Sequence, residues 1–231
     1  MMNIADNLAG IHKRIELAMR KAGRMDRPKL IAVSKTKPVE MVNEALSAGQ
    51  YDFGENYLQD ALVKIDQLSK SNNKNKKIIW HFIGPLQSNK ASQVAEKFDW
   101  LHTLDRLKIA QRLNDHRPEH LAPLKVCIQV NLANESTKSG IHPTKCLEFA
   151  EKIMLMPRLS LQGLMAIPKR LTSFDGQYEQ FMQLRQLRDD LTRQGVGVPE
   201  LSMGMSQDLE AAVCAGATML RIGTDIFGAR N

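Results

Sequence analysis

Short apolar segments of strand length recur along the chain, each followed by a stretch with helical spacing. The strand candidates are Leu30–Val33, Tyr51–Gly54, Ile78–Ile83, Trp100–Thr103, Leu124–Asn131, Leu159–Met165, Pro199–Met203 and Met219–Ile222. Such runs, rich in β-branched and aromatic residues and bounded by Gly, Pro or polar turns, are what strands require. The spacing predicts helices over 39–48, 56–69, 88–97, 105–115, 143–155, 175–194 and 206–215, and Pro38 and Gly49 punctuate the first of them. Ahead of the first strand, Ile4, Leu8, Ile11, Ile15, Ala18 and Ala22 recur at intervals of four and three, an amphipathic helix with Gly23 as its stop. Strands alternating with helices pair in parallel through right-handed crossovers. Eight such units in about 200 residues fit a closed (β/α)8 TIM-like barrel of the α/β class. An open doubly wound sheet is the alternative, because periodicity does not show closure.

A chain of 231 residues with 43% hydrophobic and 25% charged content has the make-up of a globular protein, and one barrel domain spanning 1–231 uses all of it. No apolar run approaches the roughly 18 residues of a membrane span. The start, Met1 to Asp6, lacks the basic and apolar regions of a secretory signal. Cys127, Cys146 and Cys214 are far apart, with no C-x-x-C pair, which speaks against a disulfide frame or a zinc site. These features place the expected protein in the cytoplasm. The net charge of +7 raises the question of nucleic acid, but the one local cluster, Lys70 to Lys77, has no interleaved aromatics. A solvated loop is the plain reading of it, with a mild attraction for anionic metabolites beside that.

In a barrel, chemistry gathers at the C-terminal ends of the strands. Lys35 stands there after the first strand, Asn56 after the second, His81 and Gly84 at the third, Asn131 at the fifth and Met165 at the sixth. An amine closing a buried strand is costly unless it has a partner or a use. Unprotonated, it attacks a carbonyl, which makes Lys35 a candidate anchor for an aldehyde cofactor. The competing reading is a lysine whose head reaches solvent, and Lys37 has the same chemistry. The loops after the last two strands, Ser202-Met203-Gly204-Met205-Ser206 and Arg221-Ile222-Gly223-Thr224, offer hydroxyls and backbone N–H groups suited to phosphate. Each alone reads equally well as a capped turn. Arg221 suits a phosphate, the nitrogen of a pyridine ring, or a rim salt bridge with Asp225. Beside a ring nitrogen its permanent charge would disfavour protonation and weaken the ring as an electron sink. His81 reads as a core histidine, His102 and His142 lack metal-ligand spacing, Glu55 reads as a helix-start carboxylate, and Lys138 as a loop lysine.

Taken together, Ala32-Val33-Ser34-Lys35-Thr36-Lys37, Phe53-Gly54-Glu55-Asn56-Tyr57, the run from His81 to Lys90, Gly163-Leu164-Met165, Leu201 to Asp208 and Arg221 to Gly228 are highly specific in order and spacing. Through them nearly the whole chain resembles the pyridoxal phosphate homeostasis proteins, the YggS/PROSC-like group. The resemblance implies a barrel like the N-terminal domain of alanine racemase, of fold type III, holding pyridoxal 5′-phosphate as a Schiff base on Lys35 in preference to Lys37. It also implies that the Ser202–Ser206 loop and the Gly223-Thr224 turn hold phosphate, and that Asn56 and Arg221 flank the cofactor near Met165. The implied function is intracellular vitamin B6 homeostasis with little or no catalysis: an incoming amine displaces Lys35, and pyridoxal-phosphate-dependent apo-enzymes receive the cofactor.

A small racemase, a cofactor-free Schiff-base aldolase and a nucleic-acid module are the competing classes. A racemase of this kind needs a second acid/base, usually a tyrosine from an added domain and a partner subunit. The chain closes three residues after Gly228, and neither Tyr51, Tyr57 nor Tyr178 falls where that base is needed. The same absence of a dimer-forming domain points to a monomer.

Overall fold

The computed structural model describes residues 3–70, 77–132 and 139–229. An 18-residue helix, α1 (Ile4–Lys21), comes first, capped by Asn3, whose Oδ1 accepts the N–H of Ala5 at 3.0 Å. Then β1 (Lys29–Val33), α2 (Val39–Ser47), β2 (Asp52–Glu55), α3 (Leu58–Lys70), β3 (Ile79–Phe82), α4 (Ala91–Lys97), β4 (Trp100–Leu104) and α5 (Leu107–His116) follow. The second half runs β5 (Leu124–Gln129), α6 (Cys146–Met154), β6 (Leu159–Met165), α7 (Phe174–Arg193), β7 (Glu200–Ser202), α8 (Leu209–Cys214), β8 (Met219–Ile222) and α9 (Thr224–Phe227).

The strands lie in sequence order, all parallel, and β8 returns to pair with β1 through Lys29↔Met219 to Ala32↔Ile222. That pairing closes the barrel and removes the open sheet. Alternation along each strand sorts the side chains into two layers. Leu30 and Ala32 join the large core under the helices, whereas Ile31 packs with Trp100, Cys127, Met165 and Met219 in a separate cluster inside the barrel. Helix α1 buries Ile4, Leu8, Ile11, Ile15 and Ala18, each at most 4% exposed, against α8, α9 and α2. Each large aliphatic so buried contributes about 2 kcal/mol.

Element boundaries move where side chains intervene. Strand β7 is trimmed to three residues, since Pro199 has no N–H for a ladder. Helix α8 starts at Leu209 and not at 206, because Asp208 Oδ1 accepts the N–H of Met205 at 2.6 Å and turns the chain first. The helices expected from 88 and 143 open with 3-10 turns, Ser88–Lys90 and Pro143–Lys145.

Candidate functional site

Beyond β1 the chain turns sharply. Ser34 donates its N–H to the Gly54 carbonyl at 3.0 Å, and Lys37 donates back to the Ser34 carbonyl at 3.1 Å. Between them Thr36 holds φ 62°, the one non-glycine residue at positive φ among those described. For a β-branched residue that conformation costs about 1–2 kcal/mol. It persists because Thr36 N–H donates to Asp60 Oδ2 at 3.0 Å, while Lys64 Nζ, from α3, donates to the Ser34 carbonyl at 2.7 Å and Asp60 Oδ2 at 2.9 Å. Lys64 also donates to Glu55 Oε1 at 2.8 Å, and Ser34 Oγ donates to the same oxygen at 2.7 Å. The segment carrying Lys35 is thus clamped on both flanks, and Lys35 itself, half-buried, stands in the turn just past the end of β1. Strain gathered at one turn is a mark of a functional position.

Glu55 is not a helix-start carboxylate. It ends β2, fully buried, and α3 begins three residues later. Burial lifts its pKa above the usual carboxylate range against the opposing pull of Lys64 and Ser34. Next to it Asn56 has a buried Oδ1 with no hydrogen-bond partner among the described residues. The backbone of Asn56 lies so close to Gly84, after β3, that a Cβ there would sit 2.1 Å from the Asn56 carbonyl oxygen. Only glycine permits this approach.

Arg221 projects into the barrel and is 5% exposed. Its Nη1 donates to Ser202 Oγ at 2.6 Å and its Nη2 to the Ala166 carbonyl at 3.1 Å. Burial lowers its pKa to about 10. Ser202 Oγ also lies 2.7 Å from His102 Nδ1, a contact between β7 and β4 that has to cross the interior. His102 Nε2 meets His81 Nδ1 at 2.9 Å, and His81 Nε2 meets Asp52 Oδ1 at 3.0 Å. Met165 lines the same interior, fully buried. Asp225 pairs with Arg14 and not with Arg221.

The two glycine turns are drawn together by Arg14 of α1. Its Nη2 donates to the Ser206 carbonyl at 2.9 Å, its Nη1 to Asp225 Oδ2 at 2.6 Å and its Nε to Glu210 Oε1 at 2.7 Å. Gly204 takes φ +93°, and a Cβ there would come within 2.5 Å of the Ala212 Cβ. Gly223 backs onto the end of β1, where a Cβ would stand 3.2 Å from the Val33 carbonyl oxygen. The β8 turn therefore lies beside the segment that carries Lys35. Thr224 follows as the exposed first residue of α9, and Ser206 is half-buried.

Lys35, Asn56, Met165, Ser202, Ser206, Arg221, Gly223 and Thr224 thus come from strand ends on one face, with Met165, Ser202 and Arg221 inside the barrel. Lys37 turns instead to the chain end, donating to the Ala229 carbonyl at 2.7 Å. Lys138 and residues 71–76 of the lysine-rich loop lie outside the described residues. Sequence reasoning missed Lys64 and Arg14, which sit on helices without any motif. It also missed the link between His81 and His102, although both have the inward alternation of Ile79 and Trp100.

The family described as alanine racemase, N-terminal domain, matches residues 7–231. A pyridoxal phosphate homeostasis protein from Vibrio alginolyticus is 49% identical over 232 residues, covering 100% of this chain and 99% of that protein. The chain belongs to the pyridoxal phosphate homeostasis protein family. A solved structure, PipY of Synechococcus elongatus with PLP bound, superposes with a TM-score of 0.84 at 34% identity, covering 97% of this chain and 100% of that one. An alanine racemase from Clostridium difficile shares the barrel at a TM-score of 0.73 and 14% identity, where this chain matches 57% of the racemase.

Proposed function

We propose that this protein binds pyridoxal 5′-phosphate reversibly at the C-terminal face of its barrel and acts in vitamin B6 homeostasis, holding and supplying the cofactor with little or no turnover. The observation that carries this is the convergence on one rim of a clamped lysine, a buried guanidinium and two glycine turns tied together by Arg14. The residues present fit such a ligand. Asn56 has a buried acceptor with no partner among the described residues, and Gly223 packs directly on the end of β1, which sets its turn beside Lys35. Bound there, pyridoxal phosphate supplies an aldehyde that condenses with an amine and releases water. Lys35 provides that amine, and Lys64 fixes the backbone from which it projects. The Ser206 loop and the Gly223-Thr224 turn seat the phosphate, while Arg221 and Asn56 flank the ring over Met165.

The weak-catalysis part of the proposal draws support from the tyrosines. Tyr51 precedes β2, at the opposite end of the barrel, and Tyr178 stacks on Phe174 in α7. Only Tyr57, 52% exposed, is left at this end. A buried arginine near the ring also disfavours the protonation that deep carbanion chemistry needs. In this reading the protein is a single-domain cytoplasmic monomer that engages neither membrane nor specific nucleic acid and passes its cofactor to dependent apo-enzymes.

Titrating the purified protein with pyridoxal phosphate tests the reading. A saturable visible band that Lys35→Ala abolishes supports it. Sustained change in the chirality of added L-amino acids at enzyme-like rates overturns the carrier role.

A further inference from the structure

Inside the barrel, five side chains from five different strands form one continuous run: Arg221, Ser202, His102, His81 and Asp52, with donor–acceptor distances of 2.6, 2.7, 2.9 and 3.0 Å. Lys29 Nζ, at 3.2 Å from Asp52 Oδ1, marks the far end, where the N-terminal face meets solvent. None of the three inner residues is exposed.

The ends dictate the polarity. A guanidinium only donates and a carboxylate only accepts. Facing Asp52, His81 carries its hydrogen on Nε2, so a neutral His81 presents a bare Nδ1. His102 must then donate from Nε2 and presents a bare Nδ1 of its own. Ser202 donates its sole hydrogen to that nitrogen and accepts from Arg221. Every hydrogen points from Arg221 towards Asp52, and no donor meets a donor. The reverse order needs either a charged imidazole or a protonated Asp52. Burial lowers the pKa of His81, and that of His102 further, with His81 and Arg221 adding to the effect on His102. Burial alone would raise Asp52, but His81 and Lys29 outweigh it and hold the carboxyl below its usual value. The other ionisable groups near the run are Asp99 beside His81, Asp208 and the burial-protonated Cys127 towards Arg221, and Glu200 beside Cys127.

We infer that Asp52, His81 and His102 are positioning residues for the cofactor site: their one-way hydrogen bonds fix Ser202 so that Arg221 is held in a single orientation and Ser202 has no hydrogen left for a phosphate. Phosphate contact by a hydroxyl in this loop then falls to Ser206. The ligand's identity rests on the pyridoxal phosphate reading, whereas the polarity of the run does not.

Two measurements test this. In cofactor-free protein labelled with 15N-histidine, long-range 1H–15N spectra report tautomers directly. Both rings are expected as neutral Nε2–H forms that do not titrate near the usual 6.5. An Nδ1–H form of either, or an ordinary titration, overturns the relay. In loaded protein, His102→Gln retains an acceptor and a donor side by side, whereas His102→Leu has neither. The leucine variant is expected to hold pyridoxal phosphate about tenfold more weakly, the size of one lost bond to a charged group, and to shift the pH profile of the visible band. The glutamine variant is expected to restore both. Equal behaviour of the two variants overturns the positioning role. A native protein that takes up no pyridoxal phosphate overturns the ligand reading alone, because the tautomers still decide the relay.

Discussion

Lys64 Nζ stands 2.7 Å from the carbonyl oxygen of Ser34, so a buried ammonium on α3 grips the backbone one residue before Lys35. The same nitrogen neutralises Glu55, itself fully buried. Removing one member of such a pair leaves an uncompensated charge, which costs about 3–5 kcal/mol. Lys64→Met is therefore expected to lower unfolding stability by about 3 kcal/mol in urea, and adding Glu55→Gln should recover part of that loss. Additive losses in the double variant would show that the two groups are not coupled.

Arg14 joins α1 to both glycine turns, but its side chain is 34% exposed, so its ion pairs count for less than buried ones. Arg14→Met should cost about 1 kcal/mol of stability. Its sharper effect is expected on the ligand: weaker binding of pyridoxal phosphate with unchanged binding of pyridoxal. Equal weakening of both compounds would remove the phosphate from this corner.

His81 and His102 contribute to acid sensitivity. Their folded-state pKa values lie below 6.5. As pH drops beneath 6.5 the unfolded chain binds protons that the folded barrel refuses, so stability is full above that value and lost below it. Each histidine contributes a slope of up to about 1.4 kcal/mol per pH unit. His12, also lowered by burial, adds a smaller share. Chemical unfolding at successive pH values should show this fall, and a His102→Gln variant should flatten it.

The parts of this molecule that depend on local order were readable from residues alone. Leu159–Met165 and Met219–Ile222 are strands with the expected bounds, and Gly23 and Gly49 end their helices at positive φ. Closure was not readable, since it depends on β8 meeting β1. Glu55 was misread because a carboxylate before a helix has the same local pattern whether it caps that helix or pairs with a lysine nine residues on. The contact of His102 with Ser202 joins residues 100 apart in sequence across the barrel, and no spacing rule reaches that far.

Gly204 offers a check on the loop after β7. With φ +93° and the Ala212 Cβ in the way, Gly204→Ala is expected to cost about 2 kcal/mol or more. Unfolding midpoints measure it, and a neutral effect would mean that the loop re-forms without its turn.

Borohydride reduction of the protein loaded with pyridoxal phosphate, followed by peptide mapping, tests the central claim most directly. The cofactor should be found fixed to Lys35 at one equivalent per chain, with Lys35→Ala unlabelled. A label on Lys37 or elsewhere, or no label at all, would contradict it.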